Sequence, residues 1–126
     1  VSQRSNLRGG GGGDDCCIEW EEITSTSHQG EVNHGYVTNN QAQVVITLPV
    51  IFPQFARILI CGKGDGGWRL SQNAGQQIHS WINTTTLGVG GYLYNGLAAP
   101  QQYVELLCVT ADSLFVVQYS SSVLTG

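Results

Sequence analysis

Residues 103–119, YVELLCVT followed by ADS and LFVVQY, decide the fold. Two β-rich runs flank the turn signal Ala111-Asp112-Ser113, so the stretch reads as a hairpin. Working upstream, residues 76–81 make a strand after the turn Asn73-Ala74-Gly75, and a strand restarts at residues 68–71. Residues 55–61 (FARILIC) run into the glycine-rich residues 62–67, and residues 43–48 (QVVITL) are stopped by Pro49. Tyr36-Val37-Thr38 precedes an Asn39-Asn40 turn, and residues 18–26 alternate around Trp20 and Ile23. No segment keeps a 3.6-residue apolar period for three turns. The expectation is therefore all-β: a single β-sandwich or jelly-roll-like domain of roughly eight short strands, without an internal repeat.

The first fifteen residues stand apart from this pattern. Gly9, Gly10, Gly11, Gly12 and Gly13 form a run that loses maximal backbone entropy on ordering and has no side chain to bury. Residues 1–15 are expected to be an extended arm, with the β domain occupying residues 16–126. Asp14 and Asp15 lead to Cys16 and Cys17, and Cys61 and Cys108 lie inside apolar strands. A bond between adjacent cysteines is strained, which makes Cys16 and Cys17 better suited to pair with Cys61 and Cys108, within or between subunits. The alternative is that the strand cysteines are buried free thiols.

Composition narrows the function. Charged residues make up 11% of the chain, well below the usual ~25%. The only cations are Arg4, Arg8, Arg57, Lys63 and Arg69, and the net charge is −4. That leaves no basic patch for nucleic acid. No apolar run approaches the ~20 residues of a membrane span. The chain has no methionine, which fits a processed form or an excerpt. An uncharged polar surface with cysteines points to an extracellular setting, at a cell or virion surface.

No catalytic constellation emerges, and no cofactor or metal is expected. Residues 62–68 (GKGDGGW) lack the Lys-Ser/Thr ending and following helix of a phosphate loop, and read as a tight turn. His28, His34 and His79 do not complete a ligand set, and nothing in the spacing of Asp65 and Asp112 supports calcium. Cys61 and Cys108, in apolar surroundings, are expected to be unreactive. Glu19 and Glu21 share a strand face, as on an edge that discourages stray pairing. Asn83-Thr84-Thr85 fits a glycosylation acceptor. Trp68, Trp81, Tyr92 and Tyr94 are candidates for a glycan platform, with core packing or a subunit interface as the stronger alternative.

Several motifs occur in one order along residues 20–126: WxxITSTS (20–27), NxGYVTNN (33–40), VITLP (45–49), GKGDGGWRLSQNAGQQIH (62–79), TTTxGxGG (84–91) and VELLCV (104–109). In this series the chain resembles an all-β domain of phage tail-fibre-like and bacterial surface proteins. The resemblance implies a surface-exposed, non-catalytic module and supplies no catalytic residues. The chain departs from that pattern in residues 9–17 and in Val50-Ile51-Phe52, expected to be a sticky patch for a neighbour. Copies of the chain itself are the expected partners, in a filament or fibre built through the arm. The alternative is a trimeric receptor-binding or glycan-binding module.

Overall fold

The computed structural model describes residues 17–80, 84–95, 101–120 and 123–125. Eleven strands follow one another: β1 (Glu19–Ile23), β2 (Ser27–Gln29), β3 (His34–Thr38), β4 (Val44–Thr47), β5 (Arg57–Gly62), β6 (Trp68–Ser71), β7 (Gln77–His79), β8 (Tyr92–Asn95), β9 (Tyr103–Thr110), β10 (Leu114–Ser120) and β11 (Val123–Thr125). They form a six-stranded sheet, β1-β3-β5-β9-β10-β7, and a five-stranded sheet, β11-β8-β6-β4-β2. The all-β class is as expected.

The expected hairpin is present. β9 and β10 pair antiparallel, with irregularities between Leu114 and Phe115 and between Val117 and Tyr119. Asp112 sits in the turn at φ 63°, a left-handed conformation that Asp tolerates better than most residues. Its carboxylate accepts the Phe52 N–H at 2.6 Å, and its own N–H donates to the Phe52 carbonyl at 2.8 Å. The turn therefore anchors the β4–β5 connection.

The sheets are mixed, which the strand pattern did not announce. Through β6 the chain crosses from one sheet to the other at every step. β1, β3 and β5 stack parallel in the six-stranded sheet, and β2, β4 and β6 stack parallel in the five-stranded one. The antiparallel pairs come later, where β9 joins β5 and β8 joins β6. The chain thus winds through three similar coils without a sequence period. Glu19 sits beside His34 and His34 beside Ile58, at unequal intervals along the chain.

One hydrophobic cluster draws on both sheets. Tyr36, Ile58, Ile60 and Phe115 come from the six-stranded sheet, and Ile46, Trp68, Leu70 and Leu93 from the five-stranded one. Burial alternates along the strands, as a two-residue side-chain period requires: in β4, Val44 and Ile46 are buried while Val45 and Thr47 are half-buried. Phe52, from the β4–β5 connection, closes the cluster against Phe115 at 4.8 Å between ring centroids.

Residues 62–68 form a turn between β5 and β6, and its amides are already committed. Lys63 and Gly64 N–H donate to the Thr38 carbonyl and Gly66 N–H to the Asn40 carbonyl, so these donors are not open to a phosphate. Glycine is required because successive coils touch here. A Cβ at Gly66 would stand 2.1 Å from the Ala42 carbonyl carbon.

The expectation of disulfides is corrected. No disulfide joins Cys17, Cys61 and Cys108, and Cys61 and Cys108 are free thiols. Cys61 pairs in register with Tyr103, five residues along β9 from Cys108. At ~3.4 Å per residue that is roughly 17 Å, far beyond the ~7 Å Cα limit of a bridge. The two also point to opposite faces. Cys108 lies in the core, whereas Cys61 alternates with the buried Ile60 and faces outward.

Candidate functional site

The strand directions gather one set of connections at one end of the molecule. There β1, β3 and β5 begin, and β4, β6 and β9 finish. Glu19 N–H donates to the Asn33 carbonyl at 3.2 Å and Asn33 N–H to the Arg57 carbonyl at 2.6 Å. The start of β1 therefore lies beside the starts of β3 and β5.

This end carries the exposed aliphatic side chains of the described residues. Val50, Ile51, Phe55, Leu87 and Val89 are between 62% and 77% exposed, and all belong to connections that open here. Of the expected patch Val50-Ile51-Phe52, the first two are exposed and Phe52 is fully buried. Phe55, which sequence reasoning assigned to a strand, adopts φ 73°. A bulky residue in that region costs about 1–3 kcal/mol. Neighbouring bonds hold it there: Phe55 N–H to the Cys108 carbonyl at 2.7 Å, and Gln54 Nε2 to the Val109 carbonyl at 3.1 Å.

A buried amide network fixes these apolar connections, and it explains the QNAGQQ stretch at residues 72–77. Gln72 Nε2 donates to the carbonyls of Gln76 (2.6 Å), Thr86 (2.9 Å) and Gly88 (3.1 Å), and its Oε1 accepts from the Thr85 hydroxyl. Gln76 Nε2 donates to the Pro49 carbonyl at 2.9 Å, and Asn73 Nδ2 to the Leu48 carbonyl at 2.6 Å. The β4–β5, β6–β7 and β7–β8 connections are tied together through these side chains. Sequence reasoning saw only a turn at residues 73–75; the density of amides between two β runs was the available signal.

The same end holds a histidine–carboxylate cluster. His34 Nδ1 lies 2.9 Å from the Val32 carbonyl, which makes it the donor and turns Nε2 toward Glu31 (3.5 Å) and Glu19 (3.7 Å). His28 Nε2 lies 3.8 Å from Glu21. Tyr36 stands between the two imidazoles, with ring centroids 5.2 Å from His28 and 6.0 Å from His34. The Tyr36 hydroxyl accepts the Glu31 N–H at 2.8 Å, and burial pushes it up to about 12. Among the described residues no three His, Cys, Asp or Glu side chains form a metal-holding group. The cluster thus joins β1 to both β2 and β3, Glu21 facing His28 and Glu19 facing His34.

The remaining sequence candidates scatter. Trp68 is wholly buried, and its indole N–H donates to the Gln102 carbonyl at 3.0 Å, so it packs the core and presents no ring to a ligand. Tyr92 and Tyr94 are half-buried on β8 with centroids 5.5 Å apart. His79 lies on β7. Gly9, Gly10, Gly11, Gly12, Gly13, Cys16, Trp81 and Asn83 fall outside the described residues. Trp20, unremarked as a surface group in the sequence, is 49% exposed on the edge strand β1 and lies over Gly35, where a Cβ would come within 2.6 Å of its indole.

By its fold the chain is an all-β domain of two mixed sheets with an apolar end. Neither a scan against protein-family models nor a search of curated proteins finds a match for it.

Proposed function

We propose that the protein is a non-enzymatic structural subunit of an extracellular assembly, a β-sandwich that joins a second copy of itself through its apolar end. The exposed set Val50, Ile51, Phe55, Leu87 and Val89 carries this reading. Five such side chains present on the order of 400–500 Å² of apolar surface, the size of the largest patch on a typical monomer, which is often functional. A stable interface needs roughly 800 Å² per partner, so the loops supply about half and neighbouring surface the rest. The strained backbone of Phe55 supports the reading too, since such strain persists where a side chain is held out for use. The motif resemblance to tail-fibre-like and surface proteins agrees with it.

An interface that is not isologous propagates as a filament, and one that closes gives a ring or trimer. Sedimentation velocity of the full chain tests the proposal against an Ile51→Asp/Phe55→Asn double variant. Wild type is expected to sediment as an oligomer. The variant is expected to sediment as a folded monomer, because both side chains are exposed and Asn tolerates the left-handed region. A monomeric wild type at about 100 μM, a concentration chosen to populate micromolar association, overturns the reading, as does an undiminished oligomer in the variant.

A further inference from the structure

We propose that the outer face of the five-stranded sheet binds an acidic saccharide, with Arg69 receiving the anionic group and Tyr94 stacking on the sugar. This face borders the apolar end, and the inference does not depend on the assembly reading.

The register places these residues together. Arg69 of β6 lies opposite Val45 of β4 and Tyr94 of β8, and Ser71 lies opposite Thr47 and Tyr92. Their neighbours Val44, Ile46, Trp68, Leu70 and Leu93 are buried, so by alternation Arg69, Ser71, Tyr92, Tyr94 and Thr47 share the opposite, outward face.

Arg69 differs from the other described cations. Arg57 is bonded to Glu105 at 2.9 Å and Lys63 lies 3.5 Å from Glu22. Among the described residues Arg69 has no carboxylate partner, and none of the register positions around it is acidic. Its guanidinium lies 4.0 Å from the Tyr92 ring centroid. Stacking fixes the plane of the fork and leaves its edge for an in-plane anion. Its Nε is buried and lacks an acceptor. The anion is therefore taken by the terminal guanidinium nitrogens, whose charge-assisted bonds to a carboxylate or sulfate are of the strong kind.

The rest of the face fits a sugar. Tyr94 is half-exposed and braced by Tyr92, the rings tilted at 51° with centroids 5.5 Å apart, and offers an aromatic body with a polar tip for stacking. Thr47 and Ser71 bring hydroxyls that both donate and accept beside them. A fixed cation, an aromatic pair and flanking hydroxyls on a face without carboxylates select an anionic glycan over a neutral one.

The test applies the full chain to an array of uronate-, sialate- and sulfate-bearing glycans together with their neutral parents, followed by titration calorimetry with the best acidic glycan. The expected result is at least tenfold preference for an acidic glycan over its neutral parent, with affinity falling as salt rises. Arg69→Gln is expected to remove that preference, and Tyr94→Leu to weaken acidic and neutral glycans alike. Arg69→Lys, which keeps charge and stem but loses the planar fork, guards against a folding defect and should also bind at least fivefold more weakly. Retention of no acidic glycan above its neutral parent overturns the proposal. Undiminished binding in either folded Arg69 variant overturns it equally.

Discussion

Replacing Gln72 with leucine should loosen the apolar end while leaving the sheets intact. The side chain is near in volume, so packing changes little. What is lost is one amide that serves three carbonyls, those of Gln76, Thr86 and Gly88, and that accepts from Thr85. Three of these four bonds are buried, the Thr86 bond being only partly so. A net ~0.5–1.5 kcal/mol per bond, with up to ~3 kcal/mol for a group left dry and unpaired, gives about 3 kcal/mol for the substitution. That is a large share of the ~5–15 kcal/mol expected for a domain. It corresponds to a fall of about 10 °C in Tm for a chain of this size. Urea unfolding should show a lower midpoint with an unchanged slope, because the folded and unfolded surfaces are the same. Hydrogen exchange adds a local readout: the Gly88 amide, bonded to the Gln76 carbonyl at 2.8 Å, should lose protection before the β9–β10 amides do. Gln101→Leu is the matched control. Its amide reaches the Gly64 carbonyl at 3.5 Å in an exposed position, so it should change stability by less than about 0.5 kcal/mol. A loss below about 1 kcal/mol for Gln72→Leu, or unchanged protection of Gly88, would refute the assignment of Gln72 as the anchor of these connections.

Three further outcomes follow from particular contacts. Tyr36 is buried and pushed up to about 12 from an ordinary 10, so the folded chain favours the neutral phenol. Its contribution to stability is whole below pH 10 and is lost as pH climbs through 12; a phenolate titration should show one late tyrosine that Tyr36→Phe removes. Burial raises the Cys108 thiol, so in the native chain a thiol reagent should leave Cys108 unmodified until unfolding while it modifies the half-buried Cys61; mass mapping that finds Cys108 modified at the Cys61 rate contradicts this. Gly35→Ala places a Cβ 2.6 Å from the Trp20 indole and must lift that ring, at about 1–3 kcal/mol. A red shift in fluorescence that disappears in a Trp20→Phe background reports the displacement, and an unshifted spectrum would place the ring elsewhere.

What the sequence made legible is what depends on neighbours in the chain. The β9–β10 hairpin follows from two β-rich runs and a turn whose Asp112 accepts a left-handed backbone. Edge protection at β1 follows from Glu19 and Glu21, which lie on the outermost strand of the six-stranded sheet. The parallel stacking of β1, β3 and β5 was not legible, because alternation says that a strand is half-buried but not which strand lies beside it. The same gap bears on the expectation that Cys16 and Cys17 pair with Cys61 and Cys108: spacing cannot reveal that Cys108 is buried in the core while Cys17 is exposed.

The two surfaces proposed for function illustrate the same distinction. Val50 and Ile51 were visible as a departure from the pattern of the domain that the chain resembles, an apolar run after Pro49. Arg69 was not. In sequence it is one charge in a strand, between Trp68 and Leu70. Only pairing across β4, β6 and β8 shows that no described carboxylate stands at the register positions around it and that its guanidinium lies 4.0 Å from the Tyr92 ring centroid. Each of these is a relation between residues far apart in the chain, and each bears on ligand chemistry. An unpaired cation in open solvent would be unexceptional, since water satisfies it. Held flat against a tyrosine, it keeps its terminal nitrogens in a fixed plane, and among the described residues no carboxylate takes them. A strand pattern alone would tolerate lysine, threonine or glutamine at this position equally well. The choice of arginine is accounted for by a planar acceptor arriving from outside the domain.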